Sequence, residues 1–170
     1  EYGMSEYDKD RDYDFIRGNV LFIVLNSTTN QPVDIHEEYV PKVIAEHPDT
    51  RWRVIIQHYP AYSSVAKYQE RMDSQLRYSL GYICEDIDLV ITGHDSIYSR
   101  SAFTNRRCER YDNYDYSTGG VAVNPEGTMF VVCGTSSGSL YQAATPNENL
   151  VFQSQAQEPT AIRFDVTDTE

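Results

Sequence analysis

Two short runs of β-forming residues each stop at a histidine. Val54, Ile55 and Ile56 run into Gln57, His58, Tyr59 and Pro60. Leu89, Val90 and Ile91 run into Thr92, Gly93, His94 and Asp95. An apolar run of this length bounded by a turn residue reads as a buried strand. Each strand therefore delivers polar side chains at its C-terminal end, the edge where ligands and metals collect in open α/β sheets. Between the runs, Met72, Leu76, Leu80 and Ile83 recur every three or four positions, so a helix is expected over residues 66–84. Strand, helix and strand in this order call for a sheet with crossover helices.

The flanking sequence extends that pattern. Residues 1–12 are almost wholly polar and read as a loose lead-in to a folded unit spanning 13–170. Tyr13 and Phe15, then Gly18-Asn19, then Val20 to Leu25 read as a hairpin leading into a buried strand. Asp34 suits the cap of a helix over 35–47 with Tyr39, Val40, Val43 and Ile44 on one face. Pro41 inside that pattern is expected to kink the helix or move its start to about residue 40. A strand at 52–57 follows. Downstream, residues 104–118 are dense in charge and tyrosine and read as a long surface loop. Gly119–Val123, a turn at 124–127 and Thr128–Cys133 read as a second hairpin. Residues 135–150 read as loop. Pro159–Val166 alternates, with Ile162, Phe164 and Val166 on one side, and reads as a half-exposed final strand. The expected class is α/β: a mixed sheet with crossover helices, then β-hairpins.

Charge and cysteine usage exclude several functions. The net charge of −12, from 26 acidic and 14 basic residues, argues against a nucleic-acid or anionic-membrane binder. Arg106, Arg107 and Arg110 form the only basic cluster, and they read as a solvated loop. No apolar run approaches the length of a membrane span. Cys84, Cys108 and Cys133 have no C-x-x-C spacing, which excludes a zinc ribbon. Cys84 and Cys133 read as core residues and Cys108 as a loop residue. Fourteen tyrosines with few lysines point toward an exported or cell-surface protein. Gly134-Thr135-Ser136-Ser137-Gly138 has the spacing G-x-S-x-G, but no helical pattern follows Gly138, so it does not form a hydrolase elbow.

The two histidine runs resemble the calcineurin-like metallophosphoesterases, most closely their purple-acid-phosphatase-like branch. Ile55-Ile56-Gln57-His58-Tyr59-Pro60 is similar to the family's V-x-x-H-x-P. Gly93-His94-Asp95-Ser96-Ile97-Tyr98-Ser99-Arg100 is similar to its G-H-x-H-x-Y-x-R, with Ser96 in place of the second histidine. Residues 18–27, GNVLFIVLNS, resemble the strand after the family's GNHD/E motif. Residues 134–138, GTSSG, resemble its late glycine- and serine-rich turn. The resemblance implies the C-terminal half of a four-layer α/β/β/α sandwich. It also implies hydrolysis of a small phosphorylated substrate by water activated on two metal ions, of which Fe, Zn or Mn suit imidazole and carboxylate donors.

The resemblance assigns His58 and His94 to the metal shell. Tyr98 and Arg100 continue the motif, with Arg100 expected to orient a loop, pair with a local carboxylate or touch substrate. Serine is a poor ligand beside imidazole, so Ser96 should weaken one metal position, for which water or an inward-turning Asp95 could substitute. His36 and His47 read as surface residues. The family's D-x-G, GD-x-x-Y and GNHD/E motifs do not occur, and Asp12, Asp14 and Asn26 do not stand in those contexts. The expectation is half a site, on a chain that starts partway through a catalytic domain. That chain binds no metal and is inactive alone, and it self-associates through an uncovered sheet face. The competing reading is a degenerate, non-catalytic homologue that serves as a surface or binding module.

Overall fold

The computed structural model describes residues 12–27, 34–69, 86–107, 109–138 and 141–167. Among the described residues, seven strands and one complete helix follow in the order β1 (Tyr13–Arg17), β2 (Val20–Val24), α1 (Asp34–Glu46), β3 (Trp52–Ile56), β4 (Leu89–Thr92), β5 (Tyr98–Ser101), β6 (Met129–Val132) and β7 (Leu150–Ser154). The strands form one mixed sheet in the order β1-β2-β3-β4-β6-β5-β7. β2, β3, β4 and β6 run parallel, while β1, β5 and β7 join antiparallel at the two sides.

The first hairpin turns at Gly18, whose φ of +62° is one that only glycine adopts without strain. Register then builds the core. Ile23, Ile55, Val90 and Phe130 are partners across the four parallel strands, so one buried residue from each forms a line. Tyr39, Val40 and Val43 of α1 pack onto that line with Leu21, Ala61, Tyr62 and Ile87. The opposite face carries a second set of apolar side chains. Phe22, Leu89 and Met129, and likewise Val24, Ile56 and Ile91, are only half-buried.

Pro41 lies inside α1 and does not move its start. It stands mid-helix on the exposed side, where its missing N–H removes one hydrogen bond, while Tyr39, Val40 and Val43 keep the helix on the sheet. Residues 66–69 are helical, where the expected crossover helix begins. The rest of that expectation, including Cys84, falls in residues 70–85, outside the described residues, as does Cys108.

Three expectations are corrected. The 119–133 hairpin does not form: residues 119–127 hold no strand, Val121 and Val123 are exposed, and β6 pairs with β4 and β5 instead. The last strand is β7 at Leu150–Ser154, not Pro159–Val166. His36 is buried against Asp12, with Nε2 3.3 Å from Oδ2, and His47 is half-buried 3.2 Å from Asp14. Both contacts join α1 and its end to the β1 side of the sheet, and Tyr39 adds an O–H donated to Asp14 at 2.9 Å.

Candidate functional site

Adjacent parallel strands put their C-terminal ends side by side. β3 ends at Ile56 and β4 at Thr92, and the ladder continues one step beyond each. Gln57 donates its N–H to the Ile91 carbonyl at 3.0 Å, and Gly93 donates to the His58 carbonyl at 3.1 Å. His58 and His94 therefore project from two strand ends that are bonded together. Their rings lie 5.3 Å apart, centroid to centroid, and meet edge to face at 83°.

Aromatic rings pack around His94, while His58 is exposed. Tyr59 lies 4.8 Å and Tyr68 4.5 Å from the His94 ring. Ser27, at the end of β2, accepts the backbone N–H groups of both His58 and Tyr59 at 3.0 Å. Desolvation pushes the His58 pKa below the ordinary imidazole value, and the neighbouring His94 adds to the depression. The residue keeps an exposed flank, so this desolvation is partial.

The other motif positions go elsewhere. Ser96 and Tyr98 line a cavity of about 370 Å³ together with Thr135, Gln155, Thr160 and Arg163, and neither histidine is among its lining residues. Tyr98 packs against Phe152 with ring centroids 5.6 Å apart and the rings tilted at 54°. Arg100 donates from a guanidinium nitrogen to the Tyr116 carbonyl at 3.0 Å, reaching the 104–118 loop. That loop packs on itself through Phe103, Tyr111, Tyr114 and Tyr116. Cys133, just after β6, is half-buried, and burial raises its thiol pKa.

Asp95 does not turn inward as a substitute ligand. It is wholly buried, and one carboxylate oxygen accepts from the Ser63 hydroxyl at 2.8 Å and the Ser64 N–H at 2.7 Å. Its role, and those of Ser27 and Tyr68, were missed from sequence. Ser27 carries a recoverable signal, because it is a polar stop after an apolar strand, like both histidines.

The mixed sheet shares its fold with part of a purple acid phosphatase. The chain is similar in structure to the purple acid phosphatase PPD1 isolated from yellow lupin (Lupinus luteus) seeds. The TM-score is 0.54 and the identity 20%, over 89% of this chain and 28% of that one. It is also similar to GAP50, the anchor in the inner membrane complex of Plasmodium, with TM-score 0.48 and 18% identity over 84% of this chain and 42% of that one. The chain thus spans well under two thirds of either structure. No protein-family profile matches the sequence, and no curated protein matches it.

A two-metal centre needs several nitrogen and oxygen donors converging on each ion. Among the described residues no three of His, Cys, Asp and Glu come together in such a group. Two imidazoles fit part of one metal position. They do not make a dinuclear centre, and no hydrolytic step can be derived from them alone. No described helix is long and apolar enough to cross a membrane.

Proposed function

We propose that this chain contributes the two-histidine edge of a metal-dependent phosphoesterase whose remaining donors come from sequence beyond these 170 residues. The observation that carries the reading is the pair of imidazoles 5.3 Å apart at adjacent strand ends, on a sheet shared in fold with a purple acid phosphatase. Two Fe, Zn or Mn ions, when bound, would supply an activated water and neutralise phosphoryl oxygens. The chain's own part is narrower. His58 and His94 hold one side of the metal site on rigid strand ends, and the lowered His58 pKa keeps its ring neutral and able to ligate. Tyr59 and Tyr68 limit water around His94. The substrate is a small phosphorylated molecule, the protein is secreted or on the cell surface, and the isolated chain is inactive.

Elemental analysis beside hydrolysis of p-nitrophenyl phosphate tests this. Two metals and activity in the longer protein, with neither in the 170-residue chain, support it. Absence of metal from both would overturn it in favour of a non-catalytic binding module, the reading that Ser96 favours. The half-buried apolar face around Phe22, Val24, Ile56 and Ile91 adds a second expectation, that the isolated chain pairs with a copy of itself. Light scattering that shows a monomer at all concentrations would remove it.

A further inference from the structure

Residues 160–167 cross the sheet without joining it. At one end, Thr160 donates its N–H to the Thr135 carbonyl at 2.9 Å, just past the C-terminal end of β6. At the other, the Thr167 carbonyl accepts the indole Nε1–H of Trp52 at 2.9 Å, at the N-terminal end of β3. The two anchors thus lie at opposite ends of the strands and two strands apart, since the order is β3-β4-β6. At about 3.3 Å per residue the run reaches about 23 Å, enough for the diagonal of such strands. Among the described residues, no strand pairs with it.

Alternation identifies the face that it crosses. Ile55 and Phe130 pack with α1, so Trp52, Val54 and Ile56 of β3, and Met129 and Val131 of β6, point to the other side. Val54 and Val131 are buried there, and the remaining apolar side chains of that face are half-buried. The run has two sides of its own. Arg163 and Asp165 pair with each other at 2.9 Å and keep 87% and 72% of their side chains in solvent. Phe164 and Val166 are less open, at 42% and 48%, and Ile162 is half-buried. The charged side therefore faces water, and the apolar side is turned toward the sheet.

We propose that residues 160–167 are a detachable strap that caps the sheet face opposite α1, in competition with the same face of a second copy of this chain. The strap is lightly held. Its far anchor is one solvent-exposed hydrogen bond, and its apolar side chains keep nearly half their surface in water, so it opens more readily than the strands. A second copy suits the uncovered face for a reason of charge. The chain carries a net charge of −12, which keeps copies apart over most of its surface. Asp14 is the only acidic residue in the seven strands, and it is bonded to Tyr39 on the α1 side. The opposite face is thus apolar and free of strand carboxylates, and a two-fold pairing uses it twice. The inference rests on the expectation that the isolated chain pairs with itself through this face, and not on the metal reading.

The test uses the full 170-residue chain, whose single tryptophan gives one indole N–H signal in NMR. Phe164→Ser and Val166→Ser together remove the strap's apolar grip at two exposed positions outside the sheet. In dilute solution the Trp52 indole N–H should then exchange with water at least about tenfold faster, and light scattering should show association at about tenfold lower protein concentration. Serine takes apolar surface off the strap, so the added association has to come from the face beneath. Trp52→Phe keeps a ring but lacks the donor, and it should shift association the same way by less. An indole N–H in the unaltered chain that exchanges as fast as free indole overturns the proposal. So does association that stays unchanged in both variants. If the strap is released and every chain remains monomeric, the expectation of self-pairing falls with the proposal, while the metal reading is untouched.

Discussion

Along β2, β3, β4 and β6 the sheet is held by apolar contact. One buried residue from each strand, Ile23, Ile55, Val90 and Phe130, lies in a row under α1. Along β5, β7 and the segments around them, side-chain amides bonded to backbone carbonyls do much of that work. Gln155 donates to Ser96 and Gln142, Gln153 to Thr145, and Asn147 to Ser63. The difference matters for the site. His58 and His94 stand on the apolar half, where close packing fixes a strand end, whereas Ser96 and Tyr98 face a cavity floored by the amide-bonded half.

The contrast predicts unequal responses to truncation. Ile55→Ala empties a fully buried position and should cost about 2–5 kcal/mol in denaturant unfolding. Gln155→Ala removes three hydrogen bonds, one of them exposed, from a half-buried residue and should cost about 1–2 kcal/mol. Equal losses would erase the distinction between the halves.

A second substitution probes how the polar half is tied to the centre. Gly127 has φ +79°, and a Cβ there would sit 2.3 Å from the Thr104 carbonyl oxygen. Thr104 and Thr128 bond each other's backbone at 3.0 Å in both directions, so neither side can give way freely. Gly127→Ala should cost about 1–3 kcal/mol and expose the 104–118 loop to proteolysis before the rest of the chain. Simultaneous cleavage throughout would mean that the loop is not a separate unit.

The same division explains what could be read in advance. The strands ending at His58 and His94, the first hairpin and the apolar face of α1 are written as hydrophobic runs, and burial honours such runs wherever they fall. β7 carries no such signal. Val151 and Phe152 are its main β-formers, and its place is set by pairing with β5 and by the amide of Gln155 just after it, which reaches the Ser96 carbonyl far away in sequence. Pro159–Val166 alternates, yet Phe164 and Val166 remain exposed, so periodicity alone did not secure a partner strand. At the site, residue types located the two histidines. The contact of Asp95 Oδ1 with His94 Nδ1 at 3.3 Å depends on a φ of +66° at His94, a strained value for a non-glycine residue that sequence does not display.

Ser96 gives a smaller test of that local strain. Its φ is +57°, a conformation that costs a non-glycine residue about 1–2 kcal/mol. Ser96→Gly relieves it, but glycine also has more freedom to lose on folding, by roughly 0.5–1 kcal/mol. The net expectation is a gain of under about 1 kcal/mol in unfolding. A loss of stability would mean that the serine side chain holds the turn.

The smallest effect is the titration of His58. Its pKa lies below the imidazole value of the unfolded chain, so between those two values the unfolded state binds more protons. The contribution of neutral His58 is therefore complete above pH about 6.5 and declines as pH falls through that value toward the folded pKa. Desolvation is the larger cause and the His94 charge the lesser. Replacing His94→Ala should accordingly return the His58 pKa only part of the way when followed by NMR titration. Full return would make the neighbouring imidazole, not burial, the controlling influence. A His58 that titrates at or above its ordinary value in the unaltered chain would show that the rings are not held together at the sheet edge.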